Sequence, residues 1–434
     1  MLRWLAGLFG NSPDKRKATQ QPGETAGTAS FLGRSPILNR KLAVIGYEFQ
    51  ARQAMDAGLL DKLIQEGETL FSGRRLTFVP LHPASLDLPQ VARLPATGAV
   101  LRLSAPGQPV SPEQAETILM QAQQLRAQGY AFAVDATLAV GPLAALLPSA
   151  RYLTLDVKGG DPVWLLEQQK RCAAAYPNAQ LIARNIDSLE MLDACRKLGF
   201  HGFQGTYLTG QKDWAQPRVD GSRSVILELI GCLKQEDVDF KVLARIASQD
   251  VSLYYRLLRY ANSAAFGLNK KYDSLEQAMV LLGRQGLHQW LTLMLFCSSQ
   301  GGELDVALRE TAFARARLVE LLVQGKCSRA EGEQAFLVGL LSLVDALFQM
   351  PLEDVLQKLA LPEPVLDALL HRSGKFGTYL SLAIACEKGY EGAVEELAKE
   401  CGLSSDQVNA KHLAALNWAL EFNDKLDELD REQP

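Results

Sequence analysis

From Phe31 to about residue 205, short runs rich in β-branched and aromatic residues alternate with longer runs of helical spacing, and beyond Trp214 the strand-like runs stop. This alternation constrains the fold more than any single motif. Leu42 to Tyr47, Leu76 to Val79, Ala99 to Leu103, Ala131 to Asp135, Tyr152 to Asp156 and Gln180 to Ala183 predict strands. Met55 to Phe71, Pro112 to Gln128, Pro162 to Ala175 and Ser188 to Leu198 predict the helices between them. Strands joined through a helix run parallel, so the first half of the chain implies a parallel sheet, closed into a barrel or doubly wound.

A chain of 434 residues exceeds the size at which one hydrophobic core stops growing, and an apolar content of 47% supplies material for two. The break falls at 214–222, where Pro217, Asp220 and Gly221 interrupt the pattern. The expected division is a tail and linker over 1–30, a barrel over 31–213, a linker over 214–222 and an all-helical bundle over 223–434. Residues 11–30 carry almost no large apolar side chain and cannot order themselves by burial. The first ten residues are apolar but far short of the roughly 18 needed to cross a bilayer, so any membrane contact is confined to 1–10.

A net charge of −4 gives no general attraction to nucleic acid, and the local basic group Arg256, Arg259, Lys270, Lys271 and Arg284 lacks the interleaved aromatics of a single-strand binder. No nucleic-acid partner is expected. The seven cysteines are scattered singly, as in a reduced cytoplasmic protein, and the five histidines form no pair with metal-ligand spacing. No metal and no other cofactor are expected.

In the helical half, Asp250 can cap a helix carrying Leu253, Leu257 and Ala261 on one face, ending at Asn262-Ser263. A second helix follows from Ser274 with Leu275, Ala278, Met279 and Leu282, before Gly283 stops it. The run from Leu257 to Gly267, Leu-Leu-Arg-Tyr-Ala-Asn-Ser-Ala-Ala-Phe-Gly, followed by Ser274-Leu275-Glu276-Gln277-Ala278 and Leu281-Leu282-Gly283, resembles the signature of the HDOD family. The resemblance implies an all-helical signalling module that works by docking, with Asn262, Ser263, Gly267 and Gly283 shaping its turns. Related HD phosphohydrolases place a His-Asp metal pair after a Gly-Leu-Leu run; here Gly339-Leu340-Leu341 is followed by Ser342-Leu343. Asp345 lies about 200° around a helix from Leu343 and cannot replace the lost carboxylate. Asp367 and His371, four residues apart, read as a surface or capping pair.

The first half resembles EAL domains. Phe31 to Asn39 with Ile45-Gly46-Tyr47-Glu48, then Phe78 to Pro83 with Ser85-Leu86, Gly129 to Asp135, and Leu198-Gly199-Phe200 leading to Gln204-Gly205 match that family's landmarks in order. Active members are TIM-like barrel phosphodiesterases that open cyclic di-GMP with two divalent metals. Holding two hard cations takes a close cluster of oxygen donors. By this resemblance Glu48, Arg52, Asp135 and Gln204 survive. The remaining positions depart from the pattern: Pro80 replaces an Asn, Arg102 a metal-binding Glu, Ala136 the second Asp of a pair, Thr154 a Lys, and Arg184 and Asp187 two glutamates.

A guanidinium about 4 Å from a divalent ion would cost roughly 8 kcal/mol at an effective dielectric near 20. The expectation is therefore a degenerate EAL barrel with no catalytic residues, not an enzyme, joined to an HDOD bundle that contacts an unidentified signalling protein. A homodimer remains open. The alternatives are a cyclic di-GMP phosphodiesterase or a cyclic di-GMP receptor.

Overall fold

The computed structural model describes residues 33–50, 56–65, 75–105, 110–207, 218–235, 237–263, 272–297, 303–389 and 391–431. The readings for residues 1–30, Arg52 and Gly267 lie outside the described residues. Two compact units emerge: one holds the strands together with Ser381–Asn417, the other Asp213–Leu380 with Trp418–Pro434.

In the first unit, eight strands close into a barrel in sequence order. They are β1 (Gly33–Asn39), β2 (Val44–Gln50), β3 (Leu76–Leu81), β4 (Ala99–Leu103), β5 (Ala131–Asp135), β6 (Tyr152–Asp156), β7 (Gln180–Ile186) and β8 (Gly202–Gly205). β1 runs antiparallel to both neighbours, whereas β2 to β8 pair in parallel. Helices α1 (Asp56–Gln65), α2 (Pro112–Ala127), α3 (Pro162–Ala175) and α4 (Leu189–Lys197) stand between strands. Ser111, Asp161 and Ser188 each accept a hydrogen bond from a first-turn backbone N–H, which is why α2, α3 and α4 start where they do.

β1 and β8 were not among the expected strands, and they are the pair that closes the barrel. Pro36 lies inside β1, and β8 is four residues with a glycine at each end, so neither shows apolar alternation. Those glycines permit close approach. A Cβ on Gly205 would stand 1.9 Å from the Ile186 carbonyl oxygen.

Ile37, Phe78, Val100, Ala133, Tyr152 and Ile182 form one buried interior layer. Side chains alternate along a strand, so the residue two further on faces the same interior. On β3 to β7 those residues are Pro80, Arg102, Asp135, Thr154 and Arg184, one layer nearer the C-terminal mouth.

The second unit contains α5 (Gly221–Leu233), α6 (Phe240–Ala247), α7 (Val251–Ala261), α8 (Leu275–Met294), α9 (Glu303–Val323), α10 (Arg329–Leu341), α11 (Val344–Phe348), α12 (Leu352–Leu356) and α13 (Glu363–His371). The chain continues through α14 (Gly374–Lys388), α15 (Glu391–Glu400) and α16 (Ser405–Arg431). Asp250 caps α7 by accepting from the Leu253 N–H at 3.0 Å. Gly283 breaks α8 with φ +66° and ψ 172°, but helix resumes and runs to Met294, longer than expected. Leu287, Trp290 and Leu291 supply the reason, since they bury completely in the core and reward a further helical run.

Candidate functional site

The polar layer at the mouth of the barrel centres on Glu48, only 1% exposed on β2. Two guanidiniums converge on one oxygen of its carboxylate. Arg184 Nη2 donates to Glu48 Oε1 at 2.9 Å, and Arg102 Nε lies 3.1 Å from the same atom. Arg184 Nε also donates to Gln204 Oε1 at 2.9 Å, tying β2, β7 and β8 together through a single side chain. Burial pulls the Arg102 guanidinium below its usual range; Glu48 opposes that shift and Arg184 adds to it.

Asp135 closes the next sector. Its Oδ1 accepts from the Thr137 N–H at 3.0 Å and the Thr137 hydroxyl at 2.7 Å, capping the short turn after β5. Its Oδ2 faces the Thr154 hydroxyl at 3.5 Å. Pro80 is aligned with Arg102 across β3 and β4 and brings no side-chain oxygen. Ala136 is buried, and Asp187 is exposed beyond β7. The structure thus gathers Glu48, Arg102, Arg184 and Gln204 into one cluster, sets Asp135 and Thr154 beside it, and leaves Asp187 outside.

Ser35 had no assigned role. It lies directly opposite Glu48 in the antiparallel β1–β2 pair and shares its face. Alternation from Ile37 would have shown this had β1 been recognised as a strand. At the rim, Asn185, with φ +60°, donates to Asp156 Oδ2 at 2.8 Å. Asp156 ends a predicted strand, whereas nothing in sequence announces a left-handed asparagine.

A two-metal centre does not fit these residues. The cation sites implied by the EAL resemblance are taken by guanidinium groups, and Pro80 and Ala136 offer no ligand atom. Among the described residues, no group of three or more His, Cys, Asp or Glu side chains is placed to hold a metal ion.

In the helical unit, Asn262 clamps the backbone on the far side of the signature turn, donating to Tyr272 O at 2.8 Å and accepting from Tyr272 N at 2.6 Å. Ser263 follows it, half-buried, and Gly283 forms the break in α8. Ser342, which follows the Gly339-Leu340-Leu341 run, accepts from Arg315 Nη1 at 2.8 Å and donates to Gly339 O at 2.7 Å. Burial raises the pKa of Asp345, with Arg315 pulling the other way. Arg223, 1% exposed, is held by Asp305 Oδ2 at 2.7 Å, Asp220 Oδ2 at 3.0 Å and Leu295 O at 3.1 Å. Arg284, one of the basic group, donates to Gln235 O and Val238 O, each at 2.8 Å, and so braces a loop.

After the barrel, the HDOD domain profile matches residues 222–361, so the chain carries an HDOD domain in its C-terminal region. The N-terminal region is structurally similar to EAL domains. One is the PaMucR phosphodiesterase in complex with c-di-GMP, at 17% identity over 41% of this chain and 94% of that one, with a TM-score of 0.33. Another is a standalone EAL protein from Vibrio cholerae in its c-di-GMP-bound form, at 13% identity over 44% and 93%, with a TM-score of 0.34.

Over its length the chain is similar to the cyclic di-GMP phosphodiesterase CdgJ of Vibrio cholerae serotype O1, 26% identical over 425 residues, or 95% of this chain and 96% of the relative. It is also similar to the uncharacterized protein YuxH of Bacillus subtilis, 24% identical over 431 residues, or 91% and 99%. The first relative corrects the expectation that the chain is not an enzyme, because a protein aligned with both of its halves is named a phosphodiesterase. That expectation rests on side-chain identities taken one position at a time, whereas the relative aligns with the chain over its length.

No helix among the described residues is long and apolar enough to cross a membrane.

Proposed function

We propose that this chain is an EAL–HDOD signalling protein that takes cyclic di-GMP at the mouth of its barrel and opens the ring as a phosphodiesterase. The observation that carries the reading is the convergence of Arg102 and Arg184 on buried Glu48, within 3.1 Å, at the C-terminal end of the strands. Parallel barrels place their chemistry there, and guanidinium groups match phosphate oxygens in charge and geometry. Alignment with a relative named a cyclic di-GMP phosphodiesterase supports the choice of ligand.

In the reaction proposed, water adds to phosphorus, one ester P–O bond breaks, and the released hydroxyl takes a proton. The two arginines stabilise the charge that builds on the phosphoryl oxygens. Asp135, held by Thr137 and outside the arginine–glutamate triad, is assigned to accept the proton of the attacking water. The helical unit then passes the ligand state to a signalling protein by contact. The proposed location is the cytoplasm, where seven cysteines outside any disulfide stay reduced.

The test is to incubate the purified full chain with cyclic di-GMP and resolve the linear dinucleotide by chromatography. The reading expects product from the wild type, and a loss of at least about a hundredfold in Asp135→Asn, within the usual range for removing a general base. Binding without product would make the barrel a receptor, and absence of both would refute the reading.

A further inference from the structure

We propose that the barrel mouth holds a phosphodiester anion directly on Arg102, Arg184 and Gln204, with no divalent cation; this rests on the cyclic di-GMP reading above and specifies how that site works.

The first observation is a surplus of donors. Glu48 is a single carboxylate receiving two guanidiniums, at 2.9 and 3.1 Å. The Arg102 contact is an ion pair whose N–H does not point along it, so Arg102 Nε has no hydrogen-bond acceptor. Gln204 Nε2 has none either, although the residue is 3% exposed and its Oε1 is engaged by Arg184. Buried donors without acceptors are uncommon in native proteins, and these two in one side-chain cluster call for an acceptor. Such an acceptor would bridge β4 and β8 across the mouth.

The second observation is charge. Arg102 and Arg184 share one carboxylate, Glu48, and the nearby Asp135, which also acts on Arg102, brings the layer to formal neutrality without giving either orphaned N–H an acceptor. One phosphodiester carries only acceptor oxygens, so it supplies what the donors lack. A divalent cation does the reverse, adding positive charge beside two guanidiniums and satisfying no N–H. A purely structural triad would explain burial of the charges but leaves the two orphaned donors without a reason.

Titration calorimetry on the full chain tests this with two probes, cyclic di-GMP and dimethyl phosphate, each in EDTA and each with added Mg²⁺ or Mn²⁺. The expected result is cyclic di-GMP affinity that agrees within about twofold with and without the metal, and that falls at least about tenfold in Arg184→Met and in Gln204→Leu, as loss of a charge-assisted hydrogen bond implies. Arg184→Lys, which keeps the charge but loses the fork, should fall between. Far-UV circular dichroism checks that each variant is folded.

Binding of cyclic di-GMP that requires the divalent ion overturns this inference while leaving the cyclic di-GMP reading intact. Unchanged affinity in folded Arg184→Met and Gln204→Leu does the same. If cyclic di-GMP fails to bind but dimethyl phosphate binds in an Arg184-dependent, EDTA-insensitive way, the anion site stands and the ligand assignment falls. If neither probe binds, both fall.

Discussion

Replacing Glu48 by alanine removes the carboxylate that pairs with both Arg102 and Arg184, at 3.1 and 2.9 Å. At about 3 Å and an effective dielectric near 20, each pair attracts by about 5 kcal/mol, most of it offset by the cost of taking the ions out of water. The net loss comes from stranding buried Arg102 and half-buried Arg184, and removing one partner of a buried pair costs about 3–5 kcal/mol. With a urea dependence of about 2 kcal/mol/M, the midpoint for the barrel should fall by about 2 M. Hydrogen exchange of peptides covering β2 and β7 across a urea series reads this unit separately from the helical one, whose peptides should not change. Glu48→Gln keeps an acceptor oxygen and should lose less than Glu48→Ala. A barrel midpoint that moves by less than about 0.5 M in Glu48→Ala would refute the view that this carboxylate balances the two arginines.

Other expectations follow from the same coordinates. A Cβ on Gly339 would meet the Ala316 backbone at 2.5 Å, so Gly339→Ala should push α10 off α9 and cost the helical unit about 1–3 kcal/mol by overpacking, read as a lowered thermal midpoint. Burial lowers the pKa of His288, whose Nε2 lies 2.7 Å from Leu359 O. A base depressed in the folded state leaves the unfolded chain binding more protons. The stability it contributes is therefore complete above the ordinary value near 6.5 and declines as pH falls below it; His288→Gln should flatten that slope in denaturant titrations between about pH 7 and 5. Cys232 and Cys327 are half-buried and the other five thiols buried, with burial pushing Cys195 up to about 11. A thiol reagent at neutral pH should label two sites quickly and the remainder only on unfolding, as peptide mass spectrometry would show.

Six of the eight strands were legible because each carries its own apolar run, and the helices because their apolar residues recur at helical spacing, with Asp250 also marking the start of α7. β1 and β8 were not, since their pairing is enforced by barrel closure and by glycine clearance instead of by local preference. The site positions were legible one at a time from family spacing, but their relation was not. Glu48 and Arg184 are 136 residues apart, and only closure of the barrel brings them to 2.9 Å. The assignment of Ser381–Asn417 to the same compact unit as the strands had no signature either, because a helical pattern records which face is apolar and not what covers it.

Interior positions of β4 and β7 carry arginine, Arg102 buried and Arg184 half-buried, beside Glu48 and Gln204. Burying guanidinium is costly unless it is matched, so chance substitution would be resisted unless each charge served the fold or a ligand. Glu48 matches part of that charge. In the other unit, Arg315 donates to the Ser342 hydroxyl. In the barrel, among the described residues, Arg102 Nε and Gln204 Nε2 lack acceptors at the edge of the Glu48 cluster, and that marks the barrel mouth as the place where an anion belongs.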